Sequence, residues 1–136
     1  MLKLNRKTEY GLMAIKYLQG LEPGHPASAR DIAESSGAPF DLLSKVLQRL
    51  HSLGIVQSTQ GIRGGYALDR NLEEINFAQF IEAIEGPIAL TSCLSEKGSA
   101  SCDMAGTCNI LPPMAHLNTK LNEVLSQMTL AEVTQL

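Results

Sequence analysis

The sequence has 136 residues, of which 44% are apolar, 18% charged and 4% aromatic. That composition suits one compact domain, or a small domain with one appended element, and it excludes wholesale disorder. The net charge of −3 argues at first sight against nucleic acid as a partner. The charge is unevenly divided, however. Residues 1–68 carry eight Lys/Arg and five Asp/Glu, a balance of +3, whereas residues 69–136 carry three and nine, a balance of −6. Halves of opposite sign point to different partners. No apolar run approaches the roughly 18 residues of a membrane span. The start Met1-Leu2-Lys3-Leu4-Asn5-Arg6-Lys7 lacks the apolar stretch of a secretory leader. The expectation is a cytoplasmic protein with no membrane partner, whose three cysteines are not a disulfide set.

Helical periodicity begins at about Lys7 and runs to Gln19, with Tyr10, Ala14, Tyr17, Leu18 and Leu21 on one stripe. Glu22-Pro23-Gly24-His25-Pro26 breaks it. Ser28-Ala29-Arg30-Asp31 reads as a capping box that opens a short helix to about Ser36, and Gly37 suits the left-handed position after it. Pro39 suits the first turn of a third helix. There Leu42, Leu43, Val46, Leu47, Leu50 and Leu53 form the apolar stripe, with Asp41, Ser44, Lys45, Gln48, Arg49 and Ser52 opposite. Two short strands follow, Ile55–Thr59 and Tyr66–Leu68, around a glycine-rich tip, Gln60-Gly61-Ile62-Arg63-Gly64-Gly65. Asn76 begins another helix, with Phe77, Phe80, Ile81 and Ile84 on one face and Gly86-Pro87 as its stop. From Pro87 to Asn109 periodicity disappears, and a loop this long needs a functional reason. Pro112-Pro113 mark the start of a long helix with Leu117, Leu121, Val124, Leu125 and Met128 as its stripe. Thr129 starts a short terminal helix with Leu130, Val133 and Leu136 apolar.

Two short helices joined at a tight turn and followed by a hairpin are the parts of a winged helix-turn-helix. Its second helix reads the major groove. Asp41, Ser44, Lys45, Gln48 and Arg49 are then candidates to contact base edges or phosphates, with Phe40 at the start of that helix. At the wing, Gly61, Gly64 and Gly65 lack bulk, so the backbone can approach a duplex, and Arg63 suits a minor groove or a phosphate. Ser28, Gln60, Gly64 and Tyr66 complete the candidate DNA-binding set.

Cys93, Cys102 and Cys108 stand in the pattern Cys-X8-Cys-X5-Cys. Structural zinc sites pair ligands two to four residues apart, and this pattern holds no such pair. Soft thiolates on a Gly/Ser-rich loop suit a larger object such as an iron–sulfur cluster. Zinc, or thiols that act by oxidation, are the alternatives. No paired-carboxylate or nucleophile–base arrangement marks an enzyme.

The chain resembles the IscR/NsrR-type bacterial transcription regulators, a winged-helix family many of whose members carry iron–sulfur clusters. The resemblance rests on Lys7-Thr8-Glu9-Tyr10-Gly11, Asp31-Ile32-Ala33-Glu34, Leu47-Gln48-Arg49-Leu50, Leu53-Gly54-Ile55-Val56, the wing Arg63-Gly64-Gly65-Tyr66, Ile81-Glu82-Ala83-Ile84-Glu85-Gly86, the cysteines and Thr129-Leu130-Ala131-Glu132. It implies a mainly α fold: a winged helix-turn-helix over residues 1–86, a cluster-binding loop over 87–109, and a dimerisation helix with a terminal helix over 110–136. It implies a homodimer on a pseudo-palindromic operator in double-stranded DNA. It also implies a [4Fe-4S] or [2Fe-2S] cluster that reports redox state, NO or iron supply. Some relatives place a histidine ligand three residues after the last cysteine, where this chain has Leu111. Others use a carboxylate near the start of the first helix, donated by the second subunit, and Glu9 falls at that position. His116 is the runner-up. The alternative is a winged-helix regulator without a cluster, controlled by a protein partner or a thiol switch.

Overall fold

The computed structural model describes residues 2–95 and 102–135. The part of the cysteine loop at 96–101, the starting Met1 and the expected apolar Leu136 lie outside the described residues. Helix α1 spans Arg6–Gln19, α2 Ala29–Ser36 and α3 Phe40–Ser52. Strands β1 (Val56–Thr59) and β2 (Gly65–Leu68) form an antiparallel pair. A single 3₁₀ turn, Leu72–Glu74, leads to α4 (Phe77–Glu85), and a second, Ser92–Leu94, interrupts the cysteine segment. Helices α5 (Leu111–Gln127) and α6 (Leu130–Gln135) complete the chain. This is the mainly helical winged helix-turn-helix with a long C-terminal helix.

The helix boundaries follow from local chemistry. Asn5 caps α1 by accepting from the Lys7 N–H, 3.0 Å. Ser28 and Asp31 form the reciprocal capping box of α2, at 3.1 and 3.4 Å. Gly37 ends α2 with φ +71°, a conformation that a Cβ would strain. Pro39 sits just outside α3, as its N-cap. Pro112 and Pro113 occupy the first turn of α5, where the N–H groups they lack would have had no intrahelical partner.

One core holds the molecule. Ile15, Ile32, Leu43, Leu47, Leu50, Val56 and Phe80 bring α1, α2, α3, β1 and α4 together. On α3 the buried set is Leu43, Val46, Leu47 and Leu50, a clean 3–4 spacing. Leu42 lies about 100° round the helix from Leu43 and is exposed, so it leaves the expected stripe. Helix α6 returns to the same core through fully buried Leu130 and through Ala131. Its approach is fixed by backbone bonds from Leu130 N–H to Ile75 O, 2.7 Å, and from Phe77 N–H to Met128 O, 2.8 Å.

Helix α5 is different, because it buries no residue completely. Leu121 and Leu125 face α4, lining a groove with Phe77 and Ile81. Ile110, Leu117 and Val124, seven residues apart, stay 55%, 51% and 57% exposed. The expected apolar stripe of this helix is therefore two stripes, one covered by its own chain and one uncovered. Among the described residues, no helix is long and apolar enough to cross a membrane.

The packing of α6 makes a test. Leu130→Ala is expected to lower the unfolding free energy by roughly 2–5 kcal/mol, the cost of emptying a close-packed site. Leu117→Ala, on the uncovered stripe, is expected to stay within about 0.5 kcal/mol of the parent in monomeric conditions. Urea unfolding followed by circular dichroism measures both.

Candidate functional site

Helices α2 and α3 form the helix-turn-helix. Asp41, Lys45 and Gln48 are exposed on the outer face of α3. Of the other two residues expected there, Arg49 is exposed and Ser44 is half-buried. The Ser44 hydroxyl oxygen is buried and has no hydrogen-bond partner, so it does not stand on the outer face. The Arg49 Nε donates to the Ala83 carbonyl of α4, 2.9 Å, which makes this arginine a strut between α3 and α4. Phe40, at the first turn of α3, is 43% exposed. The guanidinium of Arg30, from the first turn of α2, lies over its ring, 5.0 Å from the centroid. Arg30 is not among the DNA contacts expected from the sequence. Its signal was there: a cation in the first turn of a helix opposes the macrodipole.

The wing is anchored rather than free. Tyr66 and Ala27 exchange two backbone hydrogen bonds, Ala27 N–H to Tyr66 O at 2.9 Å and Tyr66 N–H to Ala27 O at 2.7 Å. That bridge ties β2 to the residue before Ser28, whose hydroxyl serves as the α2 cap. Two of the wing glycines are also required by the hairpin itself. A Cβ on Gly64 would lie 2.0 Å from the Thr59 carbonyl oxygen. A Cβ on Gly65, at φ +154°, would lie 2.4 Å from the Ala27 carbonyl oxygen. Both are required by the hairpin's own close approach. Only at Gly61 would a side chain meet open space. Gln60 and Arg63 are exposed at the tip, and the Tyr66 side chain packs in part against the core.

The three thiols share one place. Cys93, Cys102 and Cys108 line a single cavity of about 330 Å³, with Met104, Ile110 and Met114 as apolar wall. All three are free thiols, and Cys93 Sγ lies 3.0 Å from the Thr91 hydroxyl. Leu111, the first residue of α5, also lines the cavity, at the position where some relatives place histidine. Among the described residues, no three His, Cys, Asp or Glu groups come close enough to hold one metal ion. The thiols thus face a common space without converging on a point.

Asn118 fixes the approach to this cavity. Its amide accepts from the Leu90 N–H, 2.9 Å, and donates to the Ile88 carbonyl, 3.1 Å. This clamps the chain between α4 and Cys93 onto α5, a role without a local sequence signal because its partners lie about thirty residues away.

Glu9 stands elsewhere. It pairs with Arg6 at 2.8 Å and lines a concavity of about 620 Å³ with Lys3, Leu4, Asn5 and Glu85, not the cysteine cavity. Glu85, from the last turn of α4, is already engaged: one of its oxygens accepts from the Asn5 N–H, 2.6 Å, and from the buried Thr8 hydroxyl. His116 is exposed on α5 and does not line the cysteine cavity. His25 lies 3.8 Å from Glu22, and His51 contacts the Val56 carbonyl.

Comparison with known proteins adds the following. A family model described as an iron-dependent transcriptional regulator, Rrf2, matches residues 4–135. The HTH-type transcriptional regulator NsrR of Shouchella clausii is 29% identical over 126 residues, 92% of this chain and 78% of that protein. The HTH-type transcriptional regulator IscR of Pectobacterium atrosepticum is 27% identical over 132 residues, 97% of this chain and 79% of that protein. The solved structure of CymR, described as the global cysteine regulator of B. subtilis, superposes with a TM-score of 0.74 at 26% identity, covering 99% of this chain and 98% of that one.

The wing geometry generates a prediction. Gly64→Ala is expected to displace the Thr59 carbonyl and with it the tip. Amide resonances of residues 59–66 should then shift while those of α1 and α4 stay. A spectrum unchanged at the wing would show that the hairpin tolerates the methyl group.

Proposed function

Because this chain belongs to the Rrf2 family of transcriptional regulators, we propose that it is a homodimeric, DNA-binding regulator that senses redox state, NO or iron supply through an iron–sulfur cluster in its cysteine cavity. The observation that carries this reading is the gathering of Cys93, Cys102 and Cys108 on one cavity wall. Three soft donors lining about 330 Å³ of shared space suit a multi-atom cluster, and their wide spacing in the sequence lacks the close ligand pair of a structural zinc site. When bound, the cluster supplies iron that reacts with diatomic gases and electrons. The protein's own part is positional. The three thiols would hold it, and Asn118 keeps the leading strand of the cavity against α5.

The fourth ligand is proposed to be Glu9 from the second copy. Glu9 is held only by an exposed contact with Arg6, whereas Glu85 beside it is fixed by two donors. Of the two carboxylates, Glu9 is the one free to exchange partners. The dimer is assigned to α5, whose stripe of Ile110, Leu117 and Val124 at seven-residue spacing suits a helix pair. Residues 1–86 then read DNA, 87–109 hold the cluster and 110–136 pair the subunits. Lys45, Gln48, Asp41 and Arg63 are the proposed groove and backbone contacts. The setting is cytoplasmic.

A second reading keeps the DNA-binding dimer and replaces the cluster by a thiol switch or a protein partner. It is favoured by the open spacing of the thiols and by the likeness to CymR.

Anaerobic purification separates the readings. The cluster reading expects a brown protein with iron and acid-labile sulfide in near-equal amounts, colour lost in Cys102→Ala, and a more labile cluster in Glu9→Ala. A colourless protein with stoichiometric zinc, or with no metal, refutes it and leaves the second reading. For the dimer, Leu117→Glu with Val124→Glu is expected to yield a folded monomer in light scattering. A dimer that survives both charges would move the interface away from this stripe.

A further inference from the structure

Helix α2 carries a charge that helix physics disfavours. Arg30 is its second residue, where aligned peptide dipoles leave partial positive charge. Asp31 next to it obeys the rule and completes the capping box, while Arg30 breaks it. Among the described residues no carboxylate forms an ion pair with Arg30: it is absent from the pairs Arg6–Glu9, His25–Glu22 and Lys120–Glu123. What holds Arg30 is a ring. Its guanidinium lies 5.0 Å from the Phe40 centroid, across the turn that joins α2 to α3. Phe40 itself is left 43% exposed at the first turn of the reading helix, where an apolar side chain of that size gains little from the core. Two local preferences are set aside at one place, a pattern found at sites kept for function.

We propose that Arg30 binds a phosphate of the DNA backbone and that Phe40 is the positioning residue that holds its guanidinium ready. When the second helix of a helix-turn-helix enters the major groove, the first helix crosses the backbone, which places the α2 start beside phosphates. A ring beneath the guanidinium uses none of its five N–H donors, so the fork that matches phosphate oxygens stays available. The contact also limits side-chain freedom before binding, so less entropy is lost on contact. This inference rests on the DNA-binding reading, and it adds a residue outside the outer face of α3 and the wing.

The test uses the full chain, and a fluorescein-labelled, mixed-sequence duplex of about 30 base pairs, long enough for two half-sites a helical turn apart. Fluorescence anisotropy over a salt series gives affinity and slope, and thermal unfolding gives stability. Arg30→Ala is expected to weaken binding several-fold and to reduce the salt slope by about one per engaged protomer. Its melting temperature is expected not to fall, because a cation leaves a helix N-terminus. Phe40→Leu should weaken binding in the parent and add nothing in the Arg30→Ala background, while Phe40→Tyr restores it. Unchanged affinity and slope in Arg30→Ala overturns the proposal. So do additive effects of the two substitutions, or a lower melting temperature with an unaltered slope, which would make the pair a structural clasp. A parent protein that binds no duplex at low salt would instead overturn the DNA-binding reading, and this inference with it.

Discussion

Two backbone hydrogen bonds between Ala27 and Tyr66 hold the hairpin to the helix-turn-helix. They are short-range links between segments nearly forty residues apart, and the placement of the wing beside α2 follows from them. The bridge draws Gly65 against the Ala27 carbonyl, which leaves no space for a Cβ. It sets β2 beside the residue that precedes the α2 cap, which joins the wing directly to the start of α2. Arg30 follows three residues later and reaches across to Phe40, and α3 is thereby tied to the same frame. An isolated two-stranded hairpin is at best marginally stable in water, so this anchoring is what makes the wing a defined surface.

A second set of links joins that frame to the cysteine segment. The last turn of α4 receives Arg49 from α3 on the Ala83 carbonyl, and Asn5 and Thr8 from α1 on the Glu85 carboxylate. Directly after it, Gly86 turns the chain at φ +93° into the stretch that Asn118 clamps to α5. The cysteine cavity begins just beyond that stretch, at Thr91. Long and short helices are thus connected by hydrogen bonds through one shared turn. Close-packed elements of this kind shift between discrete arrangements rather than deform smoothly.

Much of this was legible in the linear chain. The Ser28–Asp31 box, the Gly37 stop, the diproline start of α5 and the Asn76 cap of α4 all depend on groups within four residues of each other. So does the buried stripe of α3, apart from Leu42. The cysteine pattern drew attention to the segment where the cavity is found. Roles that depend on distant partners were read less well. Ser44 and Arg49 share helical positions with Lys45 and Gln48, yet packing buries one hydroxyl and turns the arginine toward α4. The need for glycine at position 64 has a source that the linear chain does not display: the Thr59 carbonyl lies where a Cβ would stand.

The division has a physical basis. Periodicity, capping and turn chemistry are local, and so the residue order alone specifies six helices, a hairpin wing and a basic first half separated from an acidic second. Which apolar stripe is covered is not local. Leu121 and Leu125 find α4, and Leu130 finds the core of α1 and α4, while Leu117 and Val124 on the same helix as the first pair stay more than half exposed among the described residues. Burial and hydrogen-bond partners are set by which segments meet, and that is established only when the whole core closes. The odd count of cysteines shows the same split: the sequence supplies three thiols, and folding places them around one space.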